Sequence, residues 1–205
     1  MSGARREHDP IERARALTSA DDARAHYDDW AERYDTDVFD TMGVIGSRRI
    51  ADLLAEHLPD RSTPVLDLGC GTGVVGEHLA AHGFTALTGV DLSPAMLAIA
   101  HRRAVYSALV EADLDEPPAF DERFGASVSA GTFTTGHVTA DAVPRLLDLH
   151  RPGAAIVWSV APAFWASFES ALRDASVRIV SSALEPIRNE GDDRSHMVVG
   201  VTRAN

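Results

Sequence analysis

The sequence predicts an α/β fold: a seven-stranded, mostly parallel sheet with an antiparallel last strand, helices on both faces and an N-terminal helical lid. Three observations lead there. From residue 64 onward short apolar runs alternate with amphipathic stretches of helical period, the rhythm of βαβ units and of a parallel sheet covered on both sides. Glycines cluster at 69, 71 and 73, between the first apolar run and the helix that follows it. The last two extended segments, 177–186 and 195–203, are joined by the polar stretch IRNEGDDR at 187–194, which reads as a hairpin turn and reverses the final strand.

Along the chain, residues 1–9 read as frayed and 10–17 as a short helix. Over 19–34 Ser19 can cap a helix, Asp21 and Asp22 favour its start, and Ala23, Tyr27, Trp30, Ala31 and Tyr34 fall on one face. Residues 35–42 read as a break. A second helix over 44–58 turns Ile45, Ile50, Leu53, Leu54 and Leu58 inward, and Pro59 ends it. The chain thus divides into an N-terminal helical lid, 1–43, and a core domain, 44–205. In the core, strands are expected at 64–68, 86–90, 106–111, 126–130 and 155–160, with helices over 74–82, 93–104, 140–150 and 162–175. Ser93 caps the second of these helices and Pro94 opens it.

At 205 residues, 45% hydrophobic and 24% charged, the chain suits one soluble domain with a real core. Acids outnumber bases 31 to 19, and every base is Arg. The net charge of −12 repels phosphate backbones and argues against a nucleic-acid substrate. The densest basic spots, Arg48–Arg49 and Arg102–Arg103, lie in helical patterns and read as solvated faces. A single cysteine, Cys70, excludes an internal disulfide or a cysteine-built zinc site, and no H-E-x-x-H run occurs, so no metal is expected. The N-terminus is polar and no apolar run approaches the ~20 residues of a membrane span. The expectation is a cytoplasmic protein away from membranes, a monomer or homodimer.

The strongest chemical signal is VLDLGCGTG at 65–73. Glycines between a strand end and a helix start let backbone approach a ligand where a side chain would collide. The dinucleotide fingerprint G-x-G-x-x-G fits only in the register Gly71, Gly73, Gly76, which runs into the predicted helix and leaves Asp67 and Gly69 unexplained. Asp91 ends the second strand, 22 residues past Gly69, where a carboxylate can accept from both hydroxyls of a ribose. Asp113 ends the third strand, where it can accept from an adenine amino group, with Leu114 against the ring.

DLGCGTG at 67–73, GVDLSPAML at 89–97 and EADLDE at 111–116 resemble motifs I, II and III of the class I S-adenosylmethionine-dependent methyltransferases. YDDWAERYD at 27–35 and GTFTTGHV at 131–138 are similar to the methyltransferase-like protein of the Williams–Beuren syndrome region and its bacterial relatives. The resemblance covers roughly residues 27–203. It implies a Rossmann-like core with S-adenosylmethionine as cofactor and S-adenosylhomocysteine as product. By position, Asp67, Gly69, Cys70 and Gly71 would surround the methionine end, Cys70 as a small packing residue. Asp91 would bind the ribose beside Leu92 and Met96, Asp113 and Leu114 would bracket adenine, and Ala130 and Gly131 would face the sulfur. Tyr27, Trp30 and Tyr34 would form part of a lid whose ring faces suit a sulfonium, and they read equally well as a stripe docked on the core.

Methyl transfer from a sulfonium is an in-line displacement with a neutral leaving group, so the protein mainly positions the reactants and excludes water. A general base is needed only where the acceptor must lose a proton early. His137 is the candidate base, seven residues past the fourth strand, with His196 a distant second. After that strand the chain reads SAGTFTT and lacks the Asn/Asp-Pro-Pro-Tyr/Phe of amide- and adenine-nitrogen methyltransferases. The expected enzyme therefore methylates a small-molecule acceptor. The alternatives are a non-catalytic cofactor-binding or scaffold protein, and a protein or RNA methyltransferase.

Overall fold

The structure, a computed structural model, describes residues 13, 14, 17, 19–134 and 138–203. The apolar run Val65–Leu68 forms β1 in the middle of one sheet, with all four residues buried. Its alternation serves two cores at once. Leu66 and Leu68 pack with Phe133, Trp158 and Phe168 on one face, and Val65 packs with Ile50, Leu54 and Leu79 on the other. To one side of β1 stand β2 (Leu87–Asp91) and β3 (Ala108–Glu111). To the other stand β4 (Phe124–Phe133), β5 (His150–Val160), and the closing pair β6 (Arg178–Pro186) and β7 (Arg194–Val201). The order is β3-β2-β1-β4-β5-β7-β6, with β7 antiparallel to both neighbours and the other pairs parallel. The expected seven-stranded sheet with a reversed last strand is what forms.

Strand order reverses between β1 and β4, and the crevice beyond their carboxyl ends is the natural ligand site of such a sheet. Helices α1 (Ala20–Asp35), α2 (Gly46–His57), α3 (Val74–Ala81), α4 (Pro94–Arg102), α5 (Val143–Leu147) and α6 (Trp165–Asp174) surround it. Ser19 caps α1 by accepting from Asp22 N, and Ser93 caps α4 by accepting from Met96 N, as the sequence predicts. Within α2, Ile50, Leu53 and Leu54 are buried, while Ile45 precedes the helix and is half-buried. No helix among the described residues is long and apolar enough to cross a membrane.

Four expectations are corrected. Residues 35–42 are not a break: the chain leaves α1 through a π-helical turn, Thr36–Thr41, fastened where Trp30 Nε1 donates to Asp37 Oδ2 at 2.8 Å. The helix expected over 140–150 shrinks to a 3₁₀ turn, Ala140–Ala142, and α5, because His150 already pairs with Phe124 as the start of β5. Pro152-Gly153, which the sequence places between that helix and the strand expected at 155–160, is absorbed into β5 at a register shift between Phe124 and Ala126. Finally, the second arginine of each basic pair is no solvated face. Arg49 forks onto Glu185 at 2.7 and 3.1 Å, and Arg103 joins Asp35, Glu77 and the Thr72 carbonyl. The short helix expected over 10–17 lies mostly outside the described residues.

Candidate active site

A cavity of about 530 Å³ opens beyond the carboxyl ends of β1, β2 and β4, under the start of α1. The glycine loop after β1 forms its floor, and the loop's three positive-φ glycines serve different ends. Gly69 has φ +69°, and a Cβ there would collide with the Thr132 side chain, which itself donates to the Leu68 carbonyl at 3.1 Å. Gly71 has φ +53° and nothing within 4 Å of where a Cβ would point, so its missing side chain leaves cavity space. At Gly73 a side chain would press on Tyr106 and Ala100. Of the three, Gly71 alone owes its bare position to open cavity space rather than to a packed neighbour. Gly76, which completes the dinucleotide-like spacing, instead makes room for the Tyr106 ring within α3.

Asp91, at the end of β2, turns its carboxylate into the cavity wall. Oδ2 accepts from Gly71 N at 2.7 Å and Oδ1 from Ser93 N at 2.9 Å, which fixes the group on both sides. Burial raises its pKa, opposed by these backbone bonds. Leu92 and Met96 follow it along the wall, with Asp113 and Leu114 beyond. Ala130 and Gly131 close the far end, where Gly131 N donates to Ser159 Oγ at 2.8 Å. The roof comes from α1, through Ala23, Tyr27 and Tyr34. Burial, together with nearby carboxylates, pushes both phenols well above their ordinary range, so each stays neutral.

Asp67, Cys70 and Trp30 do not line this cavity. Asp67 lies beneath the loop, where Tyr106 Oη donates to its Oδ2 at 2.7 Å and itself accepts from Gly76 N at 3.1 Å. The other oxygen of Asp67 is buried with no hydrogen-bond partner among the described residues. The Cys70 thiol is buried against Gly89, and burial raises its pKa, so it is an inert packing group. Trp30 stands behind Tyr34, ring centroids 4.6 Å apart, and faces a second cavity. His137 lies outside the described residues. His196 stacks on Trp165 at 4.6 Å and lines neither cavity. His78 on α3 and His82 at its C-cap stand four residues apart, a spacing that can pair metal ligands. The His82 ring is instead engaged by Asp52 at 2.7 Å, and no group of three potential ligands gathers among the described residues.

Burial pushes the Asp67 carboxyl up to about 7, against the pull of the Tyr106 hydroxyl and with the Asp91 charge adding to the rise. Between its ordinary value of 3.8 and about 7 the folded chain holds this proton and the unfolded chain has lost it. Asp67 therefore subtracts stability progressively as pH rises through that window, and no further above it. Asp67→Asn, which keeps an acceptor for Tyr106, is expected to gain melting temperature over the parent chain by an amount that grows from pH 4.5 to 7.5. Calorimetry in which the difference stays constant would show an ordinary carboxylate.

Sequence reasoning missed the ties that hold α1 over the cavity. Asp28 accepts from Ser93 Oγ at 2.5 Å and from Ala95 N at 3.2 Å, and Asp35 accepts from Thr72 Oγ1 at 2.5 Å and from Arg103. It also missed Thr132 near the end of β4, Thr139, and Phe164 in the 3₁₀ turn before α6, which line the cavity and whose residue types carry no ligand signal.

The second cavity, about 640 Å³, meets the first across Tyr27, Tyr34, Ala130 and Gly131. Its other walls are largely apolar, with Trp30, Val38, Phe39, Phe133 and Pro162.

Residues 65–153, which carry the glycine loop, Asp91 and Asp113, match the family described as "Methyltransferase domain". The human methyltransferase-like protein 27 is 38% identical over 134 residues, 63% of this chain and 54% of that protein. The malonyl-[acyl-carrier protein] O-methyltransferase of Enterobacter lignolyticus is 31% identical over 155 residues, 70% of this chain and 61% of that protein. The chain thus spans little more than half the length of these relatives. In fold it is similar to the Burkholderia thailandensis 1,6-didemethyltoxoflavin-N1-methyltransferase, solved with its substrate and S-adenosylhomocysteine. The TM-score is 0.67 at 20% identity, over 91% of this chain and 92% of that one. Residues 65–153 are thus a methyltransferase domain, and the loop, the strand-end carboxylates and the sheet order around them have the class I arrangement that the sequence leads one to expect.

Proposed function

We propose that this chain transfers the methyl group of S-adenosylmethionine, held in the first cavity, to a small-molecule acceptor seated in the second. The observation that carries this reading is the shared wall: Tyr27, Tyr34, Ala130 and Gly131 border both cavities, so two ligands can meet there. When bound, the cofactor supplies an electrophilic methyl on a cationic sulfur.

The residues of the first cavity fit that group. A half-buried carboxylate at Asp91, fixed by two backbone N–H groups, would meet the ribose, and the glycine floor leaves open space at Gly71. Asp113 and Leu114 would bracket the adenine, and Gly69 and Gly71 would run along the methionine end with Asp67 beneath them. Ala130 and Gly131 would lie beside the sulfur. Gly131 has φ +81° and no atom within 4 Å of a would-be Cβ, which leaves the junction clear for the acceptor. The neutral rings of Tyr27 and Tyr34 present electron-rich faces to a cation and help exclude water. For an acceptor that must lose a proton, His137 is the proposed base.

The small-molecule reading is supported by the size and largely apolar walls of the second cavity and by the net charge of −12, which disfavours a polyanionic substrate. The test is incubation with S-adenosylmethionine carrying an isotopically labelled methyl group and a metabolite extract. The expected result is label in low-molecular-mass products, read by mass spectrometry. Label found only in protein or RNA would redirect the reading to a macromolecular substrate. Cofactor binding without any label transfer would make the chain a binding protein.

A further inference from the structure

We infer that the acceptor carries a carboxylate and that Arg188 is the residue that reads it. The inference rests on the two-cavity reading above and names the substrate class for the second cavity. Arg188 lines that cavity from the β6–β7 hairpin, among mostly apolar walls. Its side chain is 18% exposed, the same as that of Arg103, yet the two guanidinium groups are treated differently. Arg103 directs Nε, Nη1 and Nη2 onto the Thr72 carbonyl, Glu77 and Asp35. Arg188 Nε is buried and has no hydrogen bond among the described residues. Asp193 Oδ2 lies 2.9 Å from it, within ion-pair distance but off the line of the N–H, so the charge is balanced while the donor is left unsatisfied. A buried donor without an aligned acceptor is costly, and a fork-shaped cation is the group best suited to a planar carboxylate.

The residue is also held in place. Its backbone bridges to Val44, Ile45 N donates to the Ile187 carbonyl at 2.8 Å, and Asn189 N donates to the Gly43 carbonyl at 2.9 Å. Ile187 N in turn donates to the Asp193 carbonyl at 3.0 Å. The arginine is therefore presented to the cavity by a fixed hairpin. The half-exposed Asp193 carboxylate occupies the position an incoming carboxylate would take, and it can move outward to solvent. Asp192 and Asp193 on the same rim disfavour a dianion such as a phosphate monoester and leave room for a single negative charge. Arg194, also on the rim, is exposed. The apolar walls suit an aryl or alkyl body behind the charge.

The test uses the full chain, isothermal titration calorimetry and two matched pairs of probes, phenylacetate against phenylacetamide and hexanoate against hexanamide. Each is titrated with and without saturating S-adenosylhomocysteine. The expected result is a preference of about 10-fold or more for each carboxylate over its amide. Arg188→Gln should remove this preference while S-adenosylhomocysteine binding stays unchanged. Asp193→Asn, which keeps the hairpin's backbone bonds and withdraws the competing charge, should strengthen carboxylate binding. Equal binding of acids and amides by the parent chain, or a preference that survives Arg188→Gln, overturns the assignment, as does Asp193→Asn without effect. A chain that prefers the carboxylates but fails to bind S-adenosylhomocysteine keeps the anion site and sinks the methyl-transfer reading. A chain that binds S-adenosylhomocysteine without a carboxylate preference does the reverse.

Discussion

Asp91→Ala is expected to weaken S-adenosylhomocysteine binding by about 10-fold or more, the scale of losing charge-assisted hydrogen bonds of ~1.5–3 kcal/mol. The side chain has two tasks in the apo fold: it accepts from Gly71 N and Ser93 N, and it presents the remaining lone pairs to the cavity. Burial already disfavours its charge, so truncation removes an ion that the empty fold holds at a cost. Apo stability near neutral pH should therefore change much less than affinity does. Calorimetric titration alongside a melting curve separates the two. A folded variant with unchanged affinity would remove Asp91 from the site.

Gly69→Ala should act on the fold itself. A side chain with φ +69° costs about 1–2 kcal/mol, and the added methyl also collides with Thr132. A combined loss of about 3 kcal/mol corresponds to a fall of roughly 6–12 °C in melting temperature for a domain of this size. The two contributions can be parted. In the double variant Gly69→Ala, Thr132→Ala the collision is gone and the backbone strain remains, so the double should lose less than the sum of the single losses. Additive losses would mean that the loop relaxes away from Thr132, and that its backbone is not tightly held against β4.

The parts of the site legible in the sequence are those where a local pattern carries the chemistry. A carboxylate at a strand end, as at Asp91, or two residues past one, as at Asp113, needs only the strand and its register to be placed. The loop at 69–73 was legible as a ligand floor, but the reason for each glycine was not. Gly69, Gly73 and Gly76 answer to Thr132, Ala100 and Tyr106, which reach them only through tertiary packing. Tyr106 is the clearest example. It reads as the first residue of a strand, yet it sits ahead of β3 and donates to Asp67, 39 residues away.

Charge was the least legible property. Asp28, Asp35 and Arg103 have the composition of a solvent face, and only the docking of α1 on α4 turns them into internal partners. The helix and turn lengths around β5 were misjudged for a related reason. Pro152-Gly153 has the chemistry of a turn, and a bulge in a paired strand satisfies it equally well.

The ties from α1 carry one more consequence. Asp28 grips the cap of the helix that begins just after Asp91, and Asp35 grips the threonine of the glycine loop. Between them they pin the first helix both to the loop that floors the first cavity and to the helix that follows Asp91. Whatever unseats that helix also unmakes part of the wall on which a guest would rest, and a guest that steadies the wall would steady the helix in turn.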